Sequence, residues 1–127
     1  MRNLLVDTDI LIDFLRGKTA AKEFLMSALP DGVIYCSTIT VAEIYAGMKD
    51  PEREKTSRLI DSLNVVDVTR EIAEKAGKYK RDIKAQALEL DDCLIAATSF
   101  ALRAVLATGN GKHYPMPDIK KEILVLR

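Results

Sequence analysis

A single histidine and only two cysteines occur in 127 residues, too few ligands for a zinc-finger set. Cys36 closes the apolar run Val33-Ile34-Tyr35, and Cys93 adjoins Leu94-Ile95-Ala96-Ala97, so both read as small core residues. Two such cysteines more often mean a reducing compartment than a disulfide. Net charge is missing as well: 19 Lys and Arg face 19 Asp and Glu. The overall balance gives no sign of a nucleic-acid binder. Any such contact must come from a local basic patch, or from metal ions that cancel acidic side chains. The apolar run near the N-terminus, Leu4-Leu5-Val6, is far too short for a signal peptide or a membrane span, and a cytoplasmic protein is expected. No repeat, low-complexity stretch or linker divides the chain. Residues 1–127 suit one domain, long enough to bury a core without disulfides or a structural metal. An apolar content of 48% with 30% charged residues is that of a globular chain and excludes disorder.

Short apolar runs alternate with helical patterns. Leu4–Val6 is fit for a buried strand and stops at Asp7-Thr8-Asp9, any of which offers a helix cap. Ile10, Leu11, Phe14 and Leu15 then recur at helical spacing, and Gly17 ends that helix. A second helix runs from Ala20 to Leu29 and is stopped by Pro30-Asp31-Gly32. Val33–Cys36 reads as the second strand. Thr38 or Thr40 caps a helix through Met48, and Asp50-Pro51 opens another to about Leu63. Val65–Val68 is a third strand, 71–87 a long helix, 91–103 an Ala- and Leu-rich helix, and 104–107 and 123–126 the last two strands. This alternation predicts an α/β fold with a mostly parallel sheet of about five short strands flanked by helices. Ligands of such sheets collect at the carboxyl ends of the strands.

Three acidic residues stand in unusual surroundings. Asp7 follows directly on a buried-type strand and so lies at the carboxyl edge of the sheet. Glu43 lies in Ile39-Thr40-Val41-Ala42-Glu43-Ile44-Tyr45-Ala46-Gly47, on a stripe with Ile39, Ala46 and Gly47. A charge on an apolar face is costly unless it is paired or binds metal, and small neighbours leave room for something to approach. Asp92 opens Asp92-Cys93-Leu94-Ile95-Ala96-Ala97-Thr98, a helix apolar enough to be buried on most sides. Each also has an ordinary reading: Asp7, Asp91 and Asp92 as helix caps favoured by the dipole, Glu43 as the exposed edge of its helix. The other acids mostly sit in charge-mixed stretches such as Pro51-Glu52-Arg53-Glu54-Lys55 and read as solvated. Converging carboxylates with little His or Cys favour hard cations, magnesium or manganese rather than zinc.

The same residues carry a resemblance to PIN-domain proteins, specifically VapC-like toxins, over essentially the whole chain. The motifs are Val6-Asp7-Thr8-Asp9-Ile10-Leu11-Ile12, then Thr40-Val41-Ala42-Glu43-Ile44-Tyr45-Ala46-Gly47, then Asp92-Cys93-Leu94-Ile95-Ala96-Ala97, then Thr108-Gly109-Asn110-Gly111-Lys112-His113-Tyr114. Each is weak alone, but their order and spacing together are specific. The resemblance implies a PIN-like fold and a metal-dependent ribonuclease hydrolysing RNA phosphodiester bonds, the toxin of a VapBC-type toxin–antitoxin pair. It makes Asp7, Glu43 and Asp92 the catalytic, metal-binding acids, for Mg2+ or Mn2+. It further implies an RNA substrate, a homodimer and a VapB-like antitoxin that places a basic side chain in the acidic site. Many PIN domains have a fourth acid in the last motif. Here Asn110 and His113 stand there and, with Asp9, are possible accessory residues.

Two other functions fit parts of the pattern. Asp7-Thr8-Asp9 and Asp91-Asp92 match a haloacid-dehalogenase-like phosphatase, but Leu11 departs from its first motif, no Gly precedes Asp91, and Glu43 goes unexplained. A catalytically silent PIN-fold binding module is the other. Gly109-Asn110-Gly111-Lys112 lacks the spacing and the Ser or Thr of a phosphate loop. An acidic pocket repels RNA without help, and Arg16, Lys18, Lys78, Lys80, Arg81 and Lys112 are the candidate helpers, each of which also reads as a solvated charge.

Overall fold

In the computed structural model, which describes residues 2–126, five strands form one sheet. They are β1 (Arg2–Val6), β2 (Gly32–Ser37), β3 (Asn64–Val66), β4 (Val105–Thr108) and β5 (Lys121–Ile123). Their order is β3-β2-β1-β4-β5 and every described pairing is parallel, so the expected mostly parallel sheet is parallel throughout its described ladders. The helices are α1 (Thr8–Leu15), α2 (Thr19–Ala28), α3 (Thr38–Gly47), α4 (Arg53–Asp61), α5 (Arg70–Asp82) and α6 (Leu90–Leu102).

Successive residues of a strand face opposite sides of the sheet, and both sides are covered here. Leu4 and Val6 of β1 join Ile10, Leu11, Leu25, Ile34, Ile44, Leu59 and Ala107 in one core, under α1 to α4. Leu5 joins Ile72, Ala76, Tyr79, Cys93, Ile95, Ala96 and Leu106 in the other, under α5 and α6. That is why the central strands read as unbroken apolar runs. Cys36 and Cys93 are both free and buried, one in each core, so the sheet separates them. Gly17 takes the left-handed conformation (φ 74°) just past α1, as its position predicted. Among the described residues, no helix is long and apolar enough to cross a membrane.

Several boundaries differ from those expected. The fifth helix stops at Asp82 rather than at residue 87. Lys84, Ala85, Gln86 and Ala87 are exposed and supply no large apolar side chain to continue its buried face. The chain turns instead to bring Leu88 into the core, and Lys80 Nζ holds that turn by donating to the Leu88 carbonyl at 2.6 Å. The last strand is Lys121–Ile123, not 123–126, because its partner β4 ends at Thr108. Leu124 and Leu126 pack against the α1–α4 core instead. The third strand is likewise short, Asn64–Val66. Ser37, not Thr38 or Thr40, caps α3, its Oγ accepting from Ile39 N at 3.1 Å. Glu89 occupies the cap position of α6 without a side-chain capping bond, which leaves Asp91 and Asp92 in the first turn.

Candidate active site

Chain order reverses at β1: β2 and β3 lie to one side of it, β4 and β5 to the other. The crevice outside the carboxyl ends of β1 and β4 is therefore the topological switch point, where sheets of this kind bind ligands. Asp7 follows the last residue of β1, and Thr108 is the last of β4. Asp7 N bonds to Ala107 O at 2.9 Å, fixing the residue to both strands.

Asp7 is buried at 6% exposure and its carboxylate accepts three hydrogen bonds. Thr8 N donates to Oδ1 at 2.8 Å, and Thr108 Oγ1 and Tyr114 OH donate to Oδ2 at 2.7 and 2.9 Å. The residue is thus both the α1 N-cap and a site acid. Thr8 is spent elsewhere: its hydroxyl donates to Glu43 Oε1 at 2.7 Å and lies 3.0 Å from Thr40 Oγ1. This ties α1 to α3 and aims Glu43 from its apolar helix toward Asp7. Across the crevice, the Asp91 carboxyl of α6 faces Glu43 closely enough to raise its pKa. Asp92, one residue on, lies 3.3 Å from Tyr114 OH through Oδ1 and 3.4 Å from His113 Nδ1 through Oδ2.

Electrostatics follow from this crowding. Burial first, then the neighbouring Asp91 carboxyl and the charge of Asp7, push Glu43 up from 4.5 to about 7. Burial, then the charges of Asp91 and Asp7, push Asp92 up from 3.8 to about 6 against the opposing pull of His113. Burial and the Asp7 charge raise Asp9 to about 6. Among the described residues, no Lys or Arg comes within 4.0 Å of Asp7, Asp9, Glu43, Asp91 or Asp92. Acids of this kind are protonated more readily in the native protein than in the unfolded chain, so the native state binds the extra protons and stability falls as pH rises. The cost is absent below the unfolded values near 4, builds through 6 and 7, and is complete above that. Asp82 and Asp118, whose carboxyls are held below the usual range by Arg81 and Lys75, contribute no change in this window. Without divalent ions, denaturant melts should therefore show lower stability at pH 8 than at pH 5. Stability that rises across that interval would contradict these environments.

The structure brings Asp7, Glu43 and Asp92 together and places the accessory residues at the rim. Asp9 faces the turn after β4, accepting from Gly109 N at 3.0 Å and Asn110 Nδ2 at 2.9 Å. Gly109 permits this approach, since a Cβ there would meet Asp9 Oδ2 at 2.7 Å and Leu126 Cδ1 at 2.5 Å. His113 ends a short 3-10 turn, Gly111–His113, and lines a small cavity with Asp92, Gln86 and Leu88. Of the basic candidates, Lys112 lines an open depression with Asn110, His113 and Lys121 beside this rim. Lys80 is committed to Leu88 O, and Arg81 to its neighbour Asp82. Arg16 lines a separate cavity with Ile12, Ile44 and Gly47. Sequence reasoning passed over Asp91 as a cap and Tyr114 as a motif aromatic. The tandem Asp91-Asp92 was the available signal for the first. Nothing in the sequence signalled that the Tyr114 hydroxyl reaches Asp7.

A sequence model of the PIN domain matches residues 4–118. Ribonuclease VapC10 of Mycobacterium tuberculosis is 41% identical over 115 residues, 89% of this chain and 86% of that protein. A toxin–antitoxin complex from Klebsiella pneumoniae contains a chain 31% identical to this one, with a TM-score of 0.74 and coverage of 91% of this chain and 94% of that one. VapBC2 from Rickettsia felis, solved bound to a DNA fragment from its promoter, shares the fold at a TM-score of 0.85 and 21% identity, covering 96% and 98% of the two chains.

Proposed function

The chain belongs to the PIN domain family, and from that premise we propose that it is a metal-dependent endoribonuclease, the toxin of a VapBC-type toxin–antitoxin pair. One observation carries the reading: Asp7, Glu43, Asp91 and Asp92 converge at the switch point of the sheet with no Lys or Arg partner within 4.0 Å among the described residues. Oxygen donors crowded against their own repulsion suit a hard divalent cation, magnesium or manganese. As the side chains stand, no three of them among the described residues form a closed ligand set, so binding would draw Glu43 toward the Asp7 and Asp92 pair that Tyr114 spans. Asp7, Asp92 and Glu43 would hold the ion. Bound there, it supplies Lewis acidity toward a phosphoryl oxygen and a lowered pKa for water.

The chain's own groups supply the rest. Thr8, Thr108 and Tyr114 hold Asp7 in one orientation, and Thr8 does the same for Glu43. Because formal net charge is zero, the phosphate backbone of RNA needs local cations, and Lys112 with His113 lines the depression beside the acids. At the rim, His113 Nδ1 lies 3.4 Å from Asp92 Oδ2. The partners in this reading are a VapB-like antitoxin, supported by the toxin–antitoxin complex from Klebsiella pneumoniae, and a second copy of the chain in a homodimer, as the family resemblance implies. The phosphatase alternative would need Asp9 in the crevice, whereas Asp9 is bonded to Gly109 and Asn110.

The test is RNA cleavage by antitoxin-free protein. Activity is expected to vanish in EDTA and return with magnesium or manganese. Cleavage that persists in EDTA, or none with either ion, would reject the reading, and the second result would favour the silent binding module. The ion should also raise the melting temperature by mass action, by about 2.7 kcal/mol of stabilisation at 100 times its Kd. An equal shift in an Asp7→Asn, Asp92→Asn double variant would place the ion elsewhere.

A further inference from the structure

Tyr114 is fully buried and is the one described side chain whose hydroxyl lies against both aspartates, 2.9 Å from Asp7 Oδ2 and 3.3 Å from Asp92 Oδ1. These acids lie far apart in the chain and repel each other when ionised. A phenol has one proton to give, and the shorter contact gives Asp7 the larger share of it. The same O–H points between the two carboxylates, donating to Asp7 Oδ2 and more weakly to Asp92 Oδ1. The ring's position does not depend on either bond. Tyr114 packs with Leu5, Cys93, Ala96 and Met116, and Lys121 Nζ pins its carbonyl at 2.6 Å. From the other side, Gln86 Nε2 donates to Lys112 O at 2.8 Å, bracing the same turn.

We infer that Tyr114 is a positioning residue: its hydroxyl spans Asp7 and Asp92 and sets their separation before a divalent cation arrives, and thereby sets cation affinity. The inference rests on the assignment of these two aspartates as cation-holding acids. The physical reason is preorganisation. Two like charges left untethered drift apart, and a cation must then bear the work of reassembling them. Partners that hold ligands in place are typically worth about 10–100-fold in metal affinity. Thr108 is the internal comparison, because its hydroxyl holds the same Asp7 oxygen at 2.7 Å with no bond to Asp92.

The experiment is a calorimetric titration with Mn2+ alone, on the antitoxin-free parent, Tyr114→Phe, Thr108→Val and Asp7→Asn, each also melted in EDTA. Tyr114→Phe keeps the ring and its packing. It is expected to melt near the parent, to bind Mn2+ about 10-fold more weakly, and to regain RNA cleavage at raised Mn2+ with KM for RNA unchanged. Thr108→Val is expected to lose less affinity than Tyr114→Phe. Unchanged or tighter binding by Tyr114→Phe would overturn the inference, the latter showing that the hydroxyl competes with the ion. So would an equal loss in Thr108→Val, or a Tyr114→Phe melt far below the parent. If Asp7→Asn bound Mn2+ as tightly as the parent, or the parent bound none, the site assignment would fall and the inference with it. A parent and Asp7→Asn that differ, with Tyr114→Phe unaffected, would remove only the role of Tyr114.

Discussion

Replacing Asp7 or Asp92 with Asn is expected to lower RNA cleavage in saturating magnesium by more than about 100-fold while leaving a cooperatively folded protein. The lower bound comes from partners that merely orient metal ligands, whose loss already costs up to about 100-fold. Removing a ligand's charge should exceed that. Survival of the fold follows from the hydrogen bonds around Asp7. An Asn there keeps one oxygen for Thr8 N and turns its amide toward Thr108 Oγ1 and Tyr114 OH. Both are hydroxyls, which rotate to accept where they had donated. Two N–H groups then meet two acceptors and no buried polar atom is orphaned. Asp92 is less enclosed, with 18% of its side chain exposed, and its amide would find the Tyr114 oxygen or water. Circular dichroism and a denaturant melt establish the fold, and a labelled RNA establishes the rate. Parent-like cleavage by either variant at equal magnesium would show that the acid is a cap alone.

What the sequence made legible follows from where each residue's partners lie. The central strands were readable because both faces of the sheet are covered, so Leu4, Leu5 and Val6 are all apolar. Asp7 was readable because the run stops there. Glu43 and Asp92 were readable as charges in apolar helices, and the family motifs add their order. The α5–α6 turn was not readable, because it depends on Lys80 reaching Leu88 O and on a core that accepts Leu88. The α3 cap was ambiguous because Ser37, Thr38 and Thr40 all carry hydroxyls. Only assembly assigns them, with Thr40 beside Thr8 and Thr38 accepting from Val68 N. Asp91 was hidden for a similar reason. It is an ordinary first-turn acid until α3 and α6 meet and set it against Glu43. The Tyr114 hydroxyl lies beyond pattern reading, since its contacts join the turn after β4 to the ends of β1 and α6.

Glu43→Gln should separate stability from function in one substitution. The native carboxyl is pushed up to about 7, first by burial and then by Asp91 and Asp7. An acid whose native pKa is raised binds its proton more tightly folded than unfolded, so its ionised form costs stability. That cost begins above the ordinary value of 4.5 and is complete above about 7. A Gln removes it at every pH. The amide oxygen keeps the acceptor that Thr8 Oγ1 uses at 2.7 Å, and the N–H2 faces Asp91 with no charge to oppose it. In EDTA, parent and variant should have similar midpoints at pH 5, and the variant should be equal or higher at pH 8. The gap is modest because Glu43 is only half-buried and solvent screens its charge. In magnesium the order should invert: the parent gains from the ion, while the variant lacks a ligand and loses most of its RNA cleavage. A buried ion pair would forecast the reverse in EDTA, with breakage costing about 3–5 kcal/mol. Among the described residues no Lys or Arg lies within 4.0 Å of Glu43 to make one. A large loss of stability in EDTA at pH 8 would make Glu43 a brace between α1 and α3, and the site would contract to the aspartates. An unchanged cleavage rate would exclude it from the chemistry whatever the melts showed.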